Sequence, residues 1–187
     1  MTALAVCWPV MLIVAAIVKL DTPGPALFRQ TRVGLGGRHF TFYKFRTLYA
    51  DARERFPELY AYRYTPEQIQ ALQFKRERDP RVTPAGRWLR KSTLDELPNF
   101  WNLLKGEIAL VGPRPEIPEM VPHYLPWQLA KFSVKPGITG LAQTHGRGKL
   151  AFQRTIDYDL KYVQTRSVLL DIRIIFRTIR MLFDGAF

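Results

Sequence analysis

The chain has 187 residues, of which 28 are basic and 16 acidic, so its formal charge is +12 and its isoelectric point lies near 10.1. This length favours a single domain with a real core, and this charge predicts a polyanionic partner: nucleic acid, an anionic membrane or a phosphorylated substrate. The single cysteine, Cys7, excludes an intramolecular disulfide framework, and the three widely separated histidines lack zinc-binding spacing.

The N-terminal segment is apolar. Residues 3–18 carry no charge and contain Pro9. A straight helix of that length reaches about 24 Å, short of a hydrocarbon core of about 30 Å, and an internal proline breaks or kinks a helix. The segment therefore predicts a re-entrant or interfacial membrane anchor over residues 1–20. A signal peptide is the alternative, but no basic region precedes the apolar run and no small-residue cleavage motif follows it.

Two strands are predicted next, at residues 26–30 and 39–46, with a glycine-rich turn at 34–37 between them. The turn lacks the Gly-Lys-Ser/Thr ending of a phosphate-binding P-loop, so it is interpreted as a hairpin turn. Alternation along the second strand places Lys44 and Arg46 on one face, and two neighbouring cations suit a phosphate. A solvated strand end is the competing interpretation.

Residues 48–75 are predicted to be helical and partly polar, without recognisable chemistry. A short helix is predicted to begin at Thr83, which suits the N-cap, and Pro84, which suits the first helical position. Arg90 lies on this helix. We expect it to approach the residues that follow the helix.

The most informative feature is an adjacent carboxylate pair, Asp95 and Glu96, just before Pro98. Because proline has no N–H, an unkinked helix must begin near this point, and the spacing from Thr93 to Glu96 predicts a capping box. Free N–H groups at a helix start suit an ionised aspartate and a bound phosphate, so the pair is a candidate for phosphate chemistry; simple capping is the alternative. One face of this helix is predicted to be core: Leu97, Phe100, Trp101 and Leu104.

A further feature is an arginine between two prolines. Residues 108–111 are predicted as a short apolar strand leading into a Pro-Arg-Pro sequence, whose prolines hold Arg114 extended. An arginine presented in this way suits bidentate phosphate binding, with a structural turn as the alternative. Residues 135–148 are predicted to be a glycine-rich loop with two more cations, Lys135 and Arg147.

Helices are predicted at residues 150–163 and 167–183. The second places Arg173, Arg177 and Arg180 on one face beside a broad apolar surface, which suits either an anionic membrane or the protein's own core. That apolar surface comprises Ile172, Ile175, Phe176, Ile179 and Phe183. The whole pattern predicts an α+β fold, mainly helical with a small β-hairpin or sheet, an N-terminal re-entrant helix and amphipathic interfacial helices.

These segments together resemble the bacterial sugar transferase family, the monotopic phosphoglycosyl transferases (polyprenyl-phosphate hexose-1-phosphate transferases). The resemblance lies in residues 19–30, 43–47, 79–83, 90–115, 134–143 and 146–147. It implies transfer of sugar 1-phosphate from a UDP-sugar to polyprenyl (undecaprenyl) phosphate, giving polyprenyl diphosphate-sugar and UMP. This would be the first membrane step of bacterial glycan assembly, as in capsule, exopolysaccharide or lipopolysaccharide. It also implies a monotopic protein of the bacterial plasma membrane, with residues 21–187 as a catalytic domain on the cytoplasmic face.

The resemblance also implies residue roles. Asp95 would be the nucleophile that forms a covalent aspartyl-phosphosugar intermediate, and Glu96 would orient the site, help bind metal or handle protons. Mg²⁺ is the implied cofactor, with Asp95 and Glu96 as candidate ligands. From the resemblance and the charge pattern together, the candidate phosphate-binding residues are Lys44, Arg46, Arg90, Arg114, Lys135 and Arg147. A carboxylate beside several cations is expected to stay ionised at neutral pH, as a nucleophile must.

The chain departs from the family at its N-terminus. Eight residues precede Pro9 and none of them is basic. The family normally has a fuller first half of the re-entrant helix with Lys or Arg ahead of it. Truncation or a start at the wrong methionine would each account for this departure, and the sequence does not decide between them.

The residues alone leave two other function classes open. A basic nucleic-acid-binding module is suggested by the charge and by aromatic residues near Lys44, such as Phe40, Phe42 and Tyr43, although no nucleic-acid motif is recognised. An inactive anchor or scaffold that kept the fold is the other class. The transferase interpretation implies no nucleic-acid partner.

Overall fold

The computed structural model describes residues 2–73, 79–146 and 150–183. The helices are α1 (Thr2–Asp21), α2 (Ala52–Arg55), α3 (Pro66–Ala71), α4 (Pro84–Ser92), α5 (Asn99–Leu104), α6 (Leu141–Gly146), α7 (Phe152–Thr165) and α8 (Val168–Phe183). The strands are β1 (Leu27–Val33), β2 (His39–Phe45), β3 (Ala109–Val111) and β4 (Gly137–Thr139). These residues form a mainly helical α+β fold with two small sheets, which confirms that part of the predicted fold class.

The first sheet is the predicted hairpin. β1 and β2 pair antiparallel, with Leu27 opposite Phe45 and Val33 opposite His39, so β1 runs three residues further than expected. The turn contains Gly36 at φ 64°. Glycine adopts this left-handed backbone without the steric penalty of other residues, so the glycine-rich sequence indeed makes the turn.

The second sheet was missed by the sequence reasoning. β3 and β4 pair in parallel, and α6 follows β4, so much of the predicted loop at 135–148 is regular structure. A three-residue strand is too short to show the alternation that identifies strands. The glycines of the second sheet have a steric role, because a Cβ atom on Gly137 would lie 2.1 Å from the backbone nitrogen of Gly112.

The N-terminal helix is continuous. α1 runs through Pro9, so the predicted break is wrong; the proline costs one backbone hydrogen bond near the helix start. Val14 and Val18 are buried against the end of β2 and against α4. The opposite surface exposes Trp8, Val10, Leu12, Ile13 and Leu20. Among the residues that the structure describes, no helix is both long and apolar enough to cross a membrane.

The carboxylate pair follows a left-handed residue rather than a cap. Thr93 has φ 61° and ψ 8° and ends α4, and its hydroxyl is buried without a hydrogen-bond partner. A 3-10 turn at Leu94–Glu96 then separates α4 from α5, closed by a bond from the Glu96 N–H to the Thr93 carbonyl (3.1 Å). The predicted capping box is wrong, because α4 extends so far that the chain must turn before α5 begins.

The buried face of α5 is polar. Asn102 is fully buried, whereas Trp101 and Leu104 are 51% and 47% exposed, so the predicted apolar core face is wrong for these two residues. Leu97 does pack against a core cluster, as predicted. Asn102 joins α5 to β2: its Oδ1 accepts from the Tyr43 N–H (3.2 Å), and its Nδ2 donates to the Thr41 carbonyl (2.6 Å). These partners lie some sixty positions away, where local periodicity carries no information.

The C-terminal helix has apolar residues on two sides. Ile174 and Met181 are buried. The hydroxyl of Thr178, between them, lies 2.6 Å from the hydroxyl of Thr139 on β4. The predicted apolar surface only partly remains free of the core: Ile172, Phe176 and Ile179 are exposed, and Ile175 is half-buried. The side chain of Phe183 lies outside the described residues. The core interpretation is therefore confirmed for one side of this helix, and the membrane interpretation stays a prediction for the other.

Candidate active site

Asp95 is a buried carboxylate to which no side chain in the described part of the protein donates a hydrogen bond. It lies in the 3-10 turn between α4 and α5 and is 8% exposed. In the described ranges, no other residue donates a hydrogen bond to it; its own backbone N–H is the donor that acts on it. Burying an acceptor with unused lone pairs is costly. Such a group is available to bond a ligand.

The electrostatic surroundings of Asp95 act in opposite directions. Burial raises the pKa of its carboxyl above the ordinary value of 3.8, and the neighbouring charge of Glu96 adds to the rise. Lys44 and Arg90 lower this pKa but do not cancel the rise. The direction is opposite to that expected from the cations alone, because burial has the larger effect.

Glu96 is ion-paired. Lys44, from β2, donates a hydrogen bond from Nζ to Glu96 Oε1, and both side chains are largely buried. Burial alone would raise the pKa of Glu96, but the surrounding cations Lys44, Arg114 and Arg32 outweigh it and lower this pKa below 4.5. The adjacent carboxylates thus differ: Glu96 is stabilised as an anion, and Asp95 is not.

Arg90 reaches the pair from α4. Its Nε donates to the Thr47 hydroxyl (3.1 Å), and its Nη1 lies 3.9 Å from Asp79 Oδ2. Burial lowers the pKa of Arg90, whereas Asp79 and Asp95 raise it. Asp79 is itself held by Arg81 at 2.8 Å. Arg90 is therefore held by a hydrogen bond to Thr47 and lies near Asp79, while its charge also acts on Asp95.

Arg114 extends from the end of β3 and is exposed. Its charge acts on Glu96, which places the Pro-Arg-Pro sequence on the same side of the molecule as the carboxylate pair. That Lys44, Arg90 and Arg114 neutralise the phosphates of the substrate stays a prediction.

Arg32 is a nearby cation that the sequence reasoning missed. Burial, followed by the charge of Arg114, lowers its pKa to about 10, while Glu116 and Glu96 raise it. Arg32 lies opposite Phe40 in the hairpin, and residues opposite each other share a face, so it is on the same face as Lys44. Extending the predicted first strand by three residues would have revealed it.

Two other predicted phosphate-binding residues, Arg46 and Lys135, lie elsewhere, and a third, Arg147, is not described. Arg46 is 5% exposed, and its guanidinium donates hydrogen bonds to the C-terminal end of α1 and the following loop. The acceptors are the carbonyls of Val18 (3.2 Å), Thr22 (2.7 Å) and Pro25 (2.7 Å). Contrary to the prediction, Arg46 does not share the strand face of Lys44, because β2 ends at Phe45 and the alternation of side chains stops there. Lys135 is exposed beside Gly106, at the far end of α5 from Asp95. Arg147 lies outside the described residues.

The carboxylate pair suits a hard cation such as Mg²⁺. Mg²⁺ is commonly held by one or two carboxylates together with substrate phosphates, rather than by a complete protein cage. Asp95 has the unused oxygen lone pairs that this requires, whereas Glu96 already binds Lys44. No group of three His, Cys, Asp or Glu side chains in the described ranges is placed to hold a metal.

Comparison with known proteins identifies related sequences over nearly the whole chain. The family model described as bacterial sugar transferase matches residues 1–185. The chain is 39% identical to a galactosyl transferase, CpsE, of Streptococcus agalactiae (97% of this chain, 40% of the relative). It is 41% identical to a UDP-glucose:undecaprenyl-phosphate glucose-1-phosphate transferase of Xanthomonas campestris (94% and 35%). It is 38% identical to an uncharacterized sugar transferase, EpsL, of Bacillus subtilis (91% and 76%). The chain thus spans two-fifths or less of the length of the first two relatives.

Proposed function

Because the chain belongs to the bacterial sugar transferase family, we propose that it transfers sugar 1-phosphate from a UDP-sugar to polyprenyl phosphate, specifically undecaprenyl phosphate. The products are polyprenyl diphosphate-sugar and UMP. One observation carries the proposal: among the described residues, the buried carboxylate of Asp95 has no side chain that donates a hydrogen bond to it, it adjoins an ion-paired glutamate, and the charges of Lys44 and Arg90 act on it. Family membership favours this function over a nucleic-acid-binding module.

The first half-reaction uses Asp95 as the nucleophile. A carboxylate oxygen attacks the β-phosphorus of the UDP-sugar, and the bond from that phosphorus to the bridging oxygen breaks. UMP leaves with the bridging oxygen and its electron pair. The sugar phosphate remains on Asp95 as an acyl phosphate, a type of intermediate that carboxylates form in other phosphoryl transfers. Burial supports this role because it removes water that would otherwise solvate the attacking oxygen.

The second half-reaction regenerates Asp95. A phosphate oxygen of the lipid acceptor attacks the same phosphorus, the bond to the aspartyl oxygen breaks, and a diphosphate forms. Both steps move anions toward anions, so neighbouring cations must offset the repulsion. Lys44, Arg90 and Arg114 supply that charge. Glu96, held by Lys44, keeps the lysine beside Asp95 and orients the site.

Asp95 and Glu96 would hold Mg²⁺. When bound, the ion neutralises charge on the diphosphate and polarises its oxygens. The unused lone pairs of Asp95 are the feature of this chain that supports such a role.

We further propose that the protein is monotopic and lies on the cytoplasmic face of the bacterial plasma membrane, with residues 1–20 as its anchor and 21–187 as its catalytic domain. Two exposed apolar surfaces support this: that of α1, and that of α8 around Phe176, which is 69% exposed. The α8 surface is flanked by exposed arginines, Arg173 and Arg177, as in helices that lie on anionic membranes. The acceptor phosphate would meet the site at that interface.

The test is UMP release. Protein in nanodiscs, supplied with Mg²⁺ and undecaprenyl phosphate, is given a panel of UDP-sugars, and the matched variant is Asp95→Asn. We expect UMP from at least one donor, and a loss of at least about a thousand-fold in the variant, because an amide is not a nucleophile for phosphorus.

The stoichiometry adds a second criterion. Without acceptor, a covalent mechanism releases about one UMP per enzyme and leaves labelled sugar phosphate on the protein. Near-normal turnover in the Asp95→Asn variant would refute the covalent mechanism. Folded, membrane-bound protein that releases no UMP from any donor would refute the proposed activity.

A further inference from the structure

Thr47 and α4 are in very close contact. A Cβ atom on Gly86 of α4 would lie 2.1 Å from the Thr47 carbonyl oxygen, so a side chain at this position would clash with the backbone. The same carbonyl accepts a hydrogen bond from the Thr83 N–H at the start of the helix (3.1 Å). Arg90 lies four residues after Gly86, and residues four apart share a face of a helix. The face of α4 that carries Arg90 is therefore packed against Thr47.

The backbone on either side of Thr47 is also held. The Arg46 N–H donates to the Ala26 carbonyl (2.8 Å), and the Tyr49 N–H donates to the Arg81 carbonyl (2.9 Å). Thr47 itself is 8% exposed. Its hydroxyl is thus presented to α4 from a buried segment whose backbone is hydrogen-bonded before and after it.

Arg90 uses one edge of its guanidinium to bind this hydroxyl. Its Nε donates to Thr47 Oγ1 (3.1 Å), and within the described residues neither of its terminal nitrogens donates a hydrogen bond. Nη1 lies 3.9 Å from Asp79 Oδ2, but the Asp79 carboxylate already accepts two side-chain bonds from Arg81 (2.8 Å each). Because the guanidinium is planar, a bond at Nε restricts the plane in which the two terminal nitrogens lie. The Arg90 side chain is 33% exposed, so a ligand can reach those nitrogens.

The free end of Arg90 lies beside the candidate active site. The 3-10 turn that carries Asp95 packs against α4 and against β2. In agreement with this packing, the charge of Arg90 lowers the pKa of Asp95. Two N–H groups side by side match two oxygens of a phosphate. Arg90 offers such a pair next to the buried carboxylate.

We propose that Thr47 is a positioning residue for Arg90: its hydroxyl holds the Nε–H, so that the two terminal nitrogens are presented together to the phosphates of the substrate. A long side chain loses rotational freedom when it binds an anion, and a bond that already fixes the guanidinium reduces that loss. Thr47 acts through Arg90 and does not touch the substrate. Its effect on catalysis rests on the proposed function, whereas its effect on the guanidinium does not.

The hold on the guanidinium can be measured without activity. Exchange of the Arg90 Nε–H with water is followed by NMR in protein labelled with ¹⁵N-arginine, and Arg90→Lys identifies the signal by its loss. Thr47→Val keeps the branched shape and removes the acceptor, so this exchange should accelerate about ten-fold or more. Thr47→Ser keeps the hydroxyl and should leave the rate within about two-fold of wild type.

Thr155→Val is the matched control. The Thr155 hydroxyl donates to the Ala151 carbonyl (3.1 Å), so the substitution removes the same group without removing a contact to Arg90. It should leave the Arg90 exchange rate and kcat/KM unchanged after correction for global stability. If Thr47→Val does not fold, Thr47→Ala replaces it, because it also removes the hydroxyl and predicts the same pattern.

The effect on catalysis can be measured with a double-mutant cycle. Thr47→Val should lower kcat/KM for UMP release about ten-fold or more in the wild-type background, and less than about two-fold when Arg90→Ala is already present. Thr47→Ser should keep most of the activity. A hydroxyl that only supports the fold would instead produce the same loss in both backgrounds.

The outcomes separate the two proposals. Unchanged exchange at Arg90 Nε in Thr47→Val, or an equal loss of kcat/KM with and without Arg90, overturns the positioning role. Faster exchange together with coupled losses, both avoided in Thr47→Ser, supports it. If the wild-type protein releases no UMP, the proposed activity fails, and the exchange rates alone then decide whether Thr47 holds Arg90.

Discussion

Asp95 and Asp159 are both buried aspartates whose pKa values burial raises, yet their surroundings differ. Asp159 is ion-paired, with its Oδ2 3.1 Å from Lys131 Nζ, whereas within the described ranges no side chain forms an ion pair or a hydrogen bond with Asp95. A buried charge is tolerated when it is paired. The comparison teaches that pairing, rather than burial, separates a carboxylate that supports the fold from one that is available for chemistry.

The same contrast holds for two lysines. Lys131 is 2% exposed and lies between two carboxylates and a tyrosine, so its charge is used entirely inside the protein. Lys44 is 16% exposed and binds Glu96, and its charge also acts on Asp95. One lysine should therefore matter for folding and the other for turnover.

Replacing each lysine by methionine tests this contrast most strongly. Lys131→Met should lower the free energy of unfolding by about 3–5 kcal/mol, because it leaves two carboxylates buried without their counter-charge. Lys44→Met should lower the free energy of unfolding by less than Lys131→Met does, because the side chains of Lys44 and Glu96 remain 16% and 24% exposed, and it should greatly reduce UMP release. Denaturant unfolding and the UMP assay measure both. Similar losses of stability in the two variants would contradict the distinction.

A substitution at Arg114 tests the exposed end of the same arrangement. Arg114→Lys should lower kcat/KM about ten- to hundred-fold, because a lysine supplies charge but not the planar pair of donors that an arginine offers to a phosphate. Its unfolding free energy should change by less than about 0.5 kcal/mol, as expected for an exposed side chain. Equal rates for the two proteins would show that Arg114 acts only as a structural turn.

The smallest effect concerns pH. Burial, opposed by Lys131, raises the pKa of Asp159 to about 6, above its ordinary value of 3.8. Between these values the folded protein retains a proton that the unfolded chain has lost, so the contribution of Asp159 to stability falls as pH rises through this window. The difference in unfolding free energy between wild type and Asp159→Asn should therefore shift against the wild type from pH 5 to pH 7. A constant difference would mean that Asp159 titrates normally.

The sequence predicts the local features of the fold well. The hairpin with its glycine turn, the Thr83 cap with its side-chain bond to the Gly86 N–H, and the two C-terminal helices all depend on short-range patterns, and all are confirmed. The sequence predicted an apolar buried face for α5. Polar Asn102 is buried there instead, by partners on a distant strand. Local periodicity reports which residues are apolar, and it cannot report which surfaces meet.

The candidate site divides in the same way. Asp95 and Glu96 could be singled out from the sequence, because an adjacent carboxylate pair just before a proline is distinctive. The role of Arg46 in binding the end of α1, and the presence of Arg32, could not, because both depend on where a strand ends. The network of Lys131, Glu116 and Asp159 had no local signal at all, since its members come from three separate segments of the chain.

Four consecutive residues, 44–47, have a mechanical consequence. Lys44 binds Glu96, Phe45 packs in the cluster formed with α1, Arg46 binds carbonyls at the end of α1, and the Thr47 hydroxyl accepts from Arg90. One short length of backbone thus joins the N-terminal helix to two cations of the site. We expect a tilt of α1 at its C-terminal end to move Lys44 and Arg90 together. The orientation of that helix is then coupled to the positions of the two cations around Asp95.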